Sequence, residues 1–185
     1  MIEPATTTPM VDLVNNARLR ALVRYWQEKR GHRPMPARAD IDPLEIPRLL
    51  PIVLIADAGA VPARMRLLGT EATEFYGREM RGRSIDAFNL GAFTPAWVKA
   101  FDLVTDTRHP TAAVGGYAQG ARTCTIEAVL LPLSDQDGKF DLIFGGLHIR
   151  PVFWDRQPVR RPVIQVLPLL DQQVNCAVAR GGIAG

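Results

Sequence analysis

The sequence is poor in the residues from which most catalytic and metal sites are built. Among 185 residues there are two cysteines and three histidines. Cys124 and Cys176 lie far apart and follow no metal-ligand spacing, so neither a disulfide framework nor a zinc site is implied. Long apolar runs are missing too: "PIVLIADAGAV" and "VIQVLPLL" are far too short to cross a bilayer. The opening "MIEPATTTPM" lacks the charged and apolar blocks of a signal peptide. The expectation is a cytoplasmic protein with no membrane insertion. No "G-x-S-x-G" elbow, phosphate-cradling glycine loop, "H-E-x-x-H" or cysteine–histidine pair occurs, and no internal repeat is visible. Lysine is scarce as well. Arginine outnumbers it 19 to 3, and a net charge of only +3 spread along the chain argues little for nucleic acid.

What is present is the composition of one ordinary globular domain, 47% hydrophobic and 22% charged, long enough to bury a single core. From Asp12 to Arg30 the pattern is helical, with Leu19, Leu22, Val23 and Trp26 on one stripe and Arg20, Arg24 and Glu28 opposite. Asp12 is read as its N-cap and Gly31 as its stop. Next comes "MPARADIDPLEIPRLLP", whose carboxylates Asp40, Asp42 and Glu45 raise the question of a metal. Further oxygen ligands and a glycine-permitted loop are lacking. Asp42, Pro43 and Glu45 instead have the spacing of a cap, a first helical position and a capping box, so turn chemistry is the expected role.

"IVLIADA" and "ARMRLLGT" read as a hairpin in which Met65 and Leu67 alternate with Arg64 and Arg66. "TEATEFYG" is a short helix between Thr70 and Gly77. "TPAWVKAFDLVTDTRHP" is a longer one, capped by Thr94, opened by Pro95, and buried through Trp97, Ala100, Phe101 and Val104. Three strands follow: "TAAVGGYA", "RTCTIEAVLLPLS" with Cys124, Ile126, Ala128 and Leu130 on one face, and "GKFDLIFGGLHI" after the turn "SDQDG". Antiparallel strands enclosing a helical middle predict an α+β domain with helices on one face of the sheet. The expected divisions are a disordered N-terminus over 1–11, a helix and proline-rich connector over 12–47, a core over 48–150, and an arm or tail over 151–185.

Over residues 48–149 this order resembles a PAS domain, with five antiparallel strands and a helical segment between the second and third. "RMRLLGTEATEFYGREMRGRSIDAF" is similar to the PAS pattern through Gly69, Gly77, Arg78, Gly82 and Arg83. "YWQEKRG", "MPARADIDPLEIPRLLP" and "LPLSDQDG" resemble a family of compact stand-alone PAS proteins of alphaproteobacteria, matching at Trp26, Gly31, Pro36, Arg38, Asp42, Pro43, Leu50 and Pro51. The resemblance spans roughly residues 20–150. It implies a non-enzymatic sensory or docking module in signal transduction that binds a small apolar ligand, a protein partner carrying the output, or both.

A PAS pocket would lie between sheet and helices, and its candidate lining is Met65, Leu67, Tyr76, Trp97, Phe101, Cys124, Ile126, Phe144 and His148. The alternative for these residues is an ordinary filled core. Flavin photochemistry would need a cysteine where this chain has "GREMRGRSI", and haem would need an axial histidine, so neither cofactor is expected. His109 reads as a helix-end residue, His148 as a hydrogen-bonded strand residue whose face depends on register at Gly145-Gly146, and His32 as a loop residue. Two rival functions stand beside this one. A small-pocket hydrolase or isomerase could use His148 with Asp141 or Glu127. Nucleic acid could be held by Arg18, Arg20 and Arg24, or by Arg150, Arg156, Arg160 and Arg161, although both clusters read as solvated faces. Finally, the stripe Leu19, Leu22, Val23 and Trp26 and the uncovered sheet face can satisfy each other within one chain or across two, and a homodimer is the preferred expectation.

Overall fold

The computed structural model describes residues 14–88, 90–119, 122–152 and 163–166. Helix α1, Ala17–Arg30, starts later than the Asp12 cap would have it. The Asn16 side chain accepts from the amides of Arg18 and Leu19, so the cap stands directly before the first turn whose stripe residue, Leu19, is buried. Asp12 itself lies outside the described residues. Lys29 and Arg30 occupy the last turn, and Gly31, at φ 57°, ends the helix.

The connector answers the question its carboxylates posed. Asp42 accepts from the Leu44 amide at 2.9 Å, and Pro43 opens a short turn, Pro43–Glu45. Asp40 accepts from the Ala37 amide at 2.8 Å and pairs with Arg33 at 2.7 Å. Burial works to raise Asp40's pKa, but the amide and the guanidinium together hold it below the ordinary value. Glu45 does not fold back to complete a capping box; it takes Lys29 Nζ at 2.9 Å. The Tyr25 hydroxyl, accepting from the Asp42 amide at 2.8 Å, pins the connector to α1. Residue 134 is then reached: its amide donates to the Pro36 carbonyl at 3.0 Å, tying the connector to the sheet.

The chain continues through β1 (Val53–Asp57), β2 (Arg64–Leu68), helix α2 (Thr70–Tyr76), helix α3 (Thr94–Thr107), β3 (Thr111–Gln119), β4 (Arg122–Ser134), β5 (Phe140–Val152) and β6 (Val163–Val166). Strand order is β2-β1-β5-β4-β3-β6 with every pairing antiparallel. The first five strands make the expected α+β sheet. The sixth is a correction: "VIQV", expected in an arm, pairs with β3 from Thr111↔Val166 to Val114↔Val163. An open β3 edge would offer a row of unpaired amides and carbonyls, and β6 takes that place. The remainder of the expected arm, 153–162 and 167–185, and the N-terminal 1–11 lie outside the described residues.

Register then sorts the side chains into two layers. β4 and β5 pair without a shift from Thr123↔Val152 to Leu133↔Leu142. Ile126, Ala128, Leu130, Ile143 and Leu147 therefore share the inner face with α2 and α3. Val129, Leu131, Leu133, Leu142 and Phe144 share the outer face with α1. Leu19, Leu22, Val23 and Trp26 are exposed by 1% or less against that outer face. The stripe is thus covered within its own chain, the first of the two arrangements the sequence allows. The fastened connector explains why, since it fixes α1 beside the sheet that follows it.

Candidate functional site

The inner layer is built around a run of aromatic rings. Tyr76 meets Phe88 edge-on at 5.2 Å between centroids, Phe88 meets Trp97 at 5.9 Å, and Trp97 meets Phe101 edge-on at 4.8 Å. Edge-to-face packing matches positive ring edges to negative faces. Pro95 stands in the first turn of α3, while Thr94 is its first residue rather than its cap; its hydroxyl accepts from the Leu90 amide at 3.0 Å and so holds the preceding turn. Likewise Gly69, not Thr70, precedes α2, and a Cβ on Gly69 would overlap the Pro51 carbonyl. Met65, Cys124 and Ile126 complete the layer, each exposed by 1% or less.

Six of the nine expected lining residues, Met65, Tyr76, Trp97, Phe101, Cys124 and Ile126, thus meet on the inner face. Three do not. Leu67 is turned outward and is 44% exposed, because pairing jumps from Ile55↔Leu67 to Ala56↔Met65 and leaves Arg66 as an extra residue. Phe144 packs under α1 on the outer face. His148, opposite Glu127, shares that outer face because register holds through Gly145 and Gly146. Sequence reasoning missed Ile85, Phe88, Leu90 and Phe93, all fully buried, in the stretch between α2 and α3. Their apolar character was the available signal, since such short turns carry no period. Trp97 Nε1 is buried and has no hydrogen-bond partner among the described residues.

A second polar cluster joins three elements at the start of α1. Arg18 pairs with Glu71 at the start of α2 through both guanidinium nitrogens, Nη2 reaching Oε2 at 2.9 Å. His148 Nδ1 lies 3.5 Å from Glu71 Oε2, within ion-pair reach for a protonated ring yet without a hydrogen bond. Glu127, across the strand pair from His148, accepts the Asn16 amide at 2.9 Å. The Arg18 hydrogen bonds are the main reason Glu71 ionises below the ordinary glutamate value; burial opposes them, and His148 adds a smaller pull. Since the folded pKa is the lower one, this seam contributes stability above about pH 4.5 and loses it as pH falls through the folded value. Glu71→Gln is therefore expected to lower the urea midpoint at neutral pH, with the gap to the wild type closing in acid. A gap that is constant with pH would show that the Glu71 charge is not what joins the elements.

Residues 14–148 match the sequence model of a family described as PAS domain, PAS_5. The chain belongs to the PAS domain family. As such it is a sensory or signalling module. No curated protein matches the chain significantly. Among solved structures, a similar one is the PAS domain of BvgS from Bordetella pertussis, 20% identical, covering 63% of this chain and 90% of that chain with a TM-score of 0.43.

Within this PAS core, all three histidines are described and none faces the interior. His109 is exposed with Nδ1 2.7 Å from the Thr107 carbonyl, His148 is on the outer face, and His32 is exposed. An axial histidine for haem does not fit these positions. Of the two acids weighed as partners of His148, Glu127 stands directly opposite it across the strand pair. Asp141 lies seven positions from His148 along an extended strand, roughly 20 Å, and Glu127 is engaged by the α1 cap. Of the first arginine cluster, Arg18 is paired with Glu71 and Arg20 donates to the carbonyls of Val14 and Asn15, which leaves Arg24 exposed. In the second, Arg150 is exposed, while Arg156, Arg160 and Arg161 lie outside the described residues. No helix among the described residues is long and apolar enough to cross a membrane.

Proposed function

We propose that this PAS domain is a non-enzymatic receptor for a small, largely apolar molecule that carries one hydrogen-bond acceptor, and that a protein partner reads the result. The supporting observation is the Trp97 indole N–H, buried beside the aromatic run with no acceptor among the described residues. Leaving such a donor unpaired costs about 1–3 kcal/mol, and native interiors seldom do so. A ligand acceptor at this point relieves that cost. The signal has a short route outward, because β4 carries Cys124 and Ile126 on the ligand side and Glu127 on the α1 side. Movement of β4 alters the Asn16 cap contact and with it the seating of α1.

Native mass spectrometry of the freshly purified full chain tests the ligand reading. A bound small mass is expected in the wild type. Trp97→Phe keeps an aromatic side chain and removes the donor, so the bound fraction should fall by roughly tenfold, one hydrogen bond's worth. An empty wild type that is not stabilised by a panel of apolar ketones and esters would remove the reading.

A further inference from the structure

An unassigned groove lies on the other side of the sheet. Between the connector and strands β1, β2 and β5 runs an open groove of about 650 Å³. Its floor is apolar, with Leu67 exposed and Ile55 half-buried at the surface and Leu133, Leu142 and Phe144 buried beneath them. Three arginines, Arg38, Arg66 and Arg81, line it, and no acidic residue does. Arg66 is answered by Asp57 at 3.1 Å. The guanidinium groups of Arg38 and Arg81 have no ion-pair partner among the described residues, and both residues are exposed. Leu67 is 44% exposed on the floor, and Leu44, next to lining residue Pro43, is 85% exposed.

We infer that this groove docks an acidic amphipathic segment of a partner protein, with apolar side chains on the floor and carboxylates on Arg38 and Arg81. Charge complementarity selects the occupant. Uncompensated cations of one sign at the rim of an apolar surface match a segment that alternates apolar and acidic residues, and repel a basic one. The openness of the groove selects a segment over a small ligand, because small-molecule sites enclose most of their ligand's surface and Leu67 would remain half uncovered. Aliphatic side chains dominate the floor, with Phe144 the single ring there, so it is a poor stacking platform for single-stranded nucleic acid. This names the partner chemistry in the function proposed above. It does not involve Trp97 and shares only Met65 with the inner layer, so either proposal can fail alone.

The test is fluorescence anisotropy with a short labelled peptide of leucine, phenylalanine, aspartate and glutamate, added to the full chain. The acidic peptide is expected to bind the wild type, and binding should weaken as salt is raised. Arg38→Glu combined with Arg81→Glu should weaken it by roughly tenfold or more, and Leu67→Asp should do the same through the floor, while both variants keep the wild-type melting temperature because these side chains are exposed. A peptide with lysine in place of the acids should not bind. The inference is overturned if the acidic peptide fails to bind, if the charge-reversed variant binds it as well as the wild type does, or if the lysine peptide competes equally. Displacement of the peptide by decanoate at equal concentration, or tighter binding of a single-stranded oligonucleotide, would also overturn it by assigning the groove to another class of ligand.

Discussion

Trp26→Ala is expected to lower the unfolding free energy by about 3–5 kcal/mol, the range for truncating a buried aromatic side chain. Trp26 is fully buried between α1 and the outer face, so truncation leaves a cavity rather than a solvated gap. It also removes the donor to the Pro132 carbonyl, which Nε1 reaches at 2.9 Å, and so leaves a β4 acceptor short of its partner. Arg30 stands over the same ring at 6.0 Å and loses that contact too. A domain of this size has only about 5–15 kcal/mol in total. The prediction thus says that α1 is part of the cooperative core. Arg18→Ala provides the comparison: the pair it breaks is about a third exposed on each side, and such pairs contribute about 1 kcal/mol or less. Urea unfolding of the two variants should differ several-fold in effect. Should Trp26→Ala lose less than Arg18→Ala, the polar seam rather than the apolar stripe holds the helix.

The helix itself was legible in the sequence, and its covering was not. A period of 3.6 residues is written locally in Leu19, Leu22, Val23 and Trp26, whereas the surface that receives them is assembled from β4 and β5 more than a hundred positions away. Period-2 reasoning failed at the two places where strands depart from it. At β2 an extra residue, Arg66, reverses the side of Leu67. At the start of β5 the register shifts between Leu133 and Ser134, so Phe140 packs with the inner layer while Leu142 and Phe144 pack with the outer one. Nothing in "GKFDLIFGG" marks that change, because both faces of β5 are covered and apolar residues occur at both parities. The inner aromatic run was half legible: Trp97 and Phe101 sit on a clear helical stripe, but Phe88 lies in a turn with no period at all. β6 was hidden for a related reason, since four apolar-rich residues between prolines carry too little pattern to announce a strand.

Gly145 and Gly146 should give results of different size and reach under the same substitution, although they are neighbours in one strand. A Cβ on Gly145 would overlap the Val129 carbonyl oxygen and lie 3.1 Å from its carbon. Both are backbone atoms of the adjacent strand, and no side-chain rotation can clear them. Gly145→Ala must therefore spread β4 from β5, the pairing that carries both layers, and is expected to cost more than about 4 kcal/mol or to abolish folding. A Cβ on Gly146 would instead point into α1, 2.5 Å from Leu19 Cδ2 and 3.0 Å from Leu22 Cδ2. These are the ends of flexible side chains, and the helix can lift slightly to admit the methyl group. Gly146→Ala should cost about 1–3 kcal/mol, as overpacking does, and the loss should be confined to one layer. Hydrogen exchange resolved by residue distinguishes the cases: in Gly146→Ala the amides of α1 should exchange faster while those of β3 and β4 keep their protection. If protection instead falls uniformly, α1 has no separate motion. It could not then report the state of the inner layer to a partner, whatever the ligand beside Trp97.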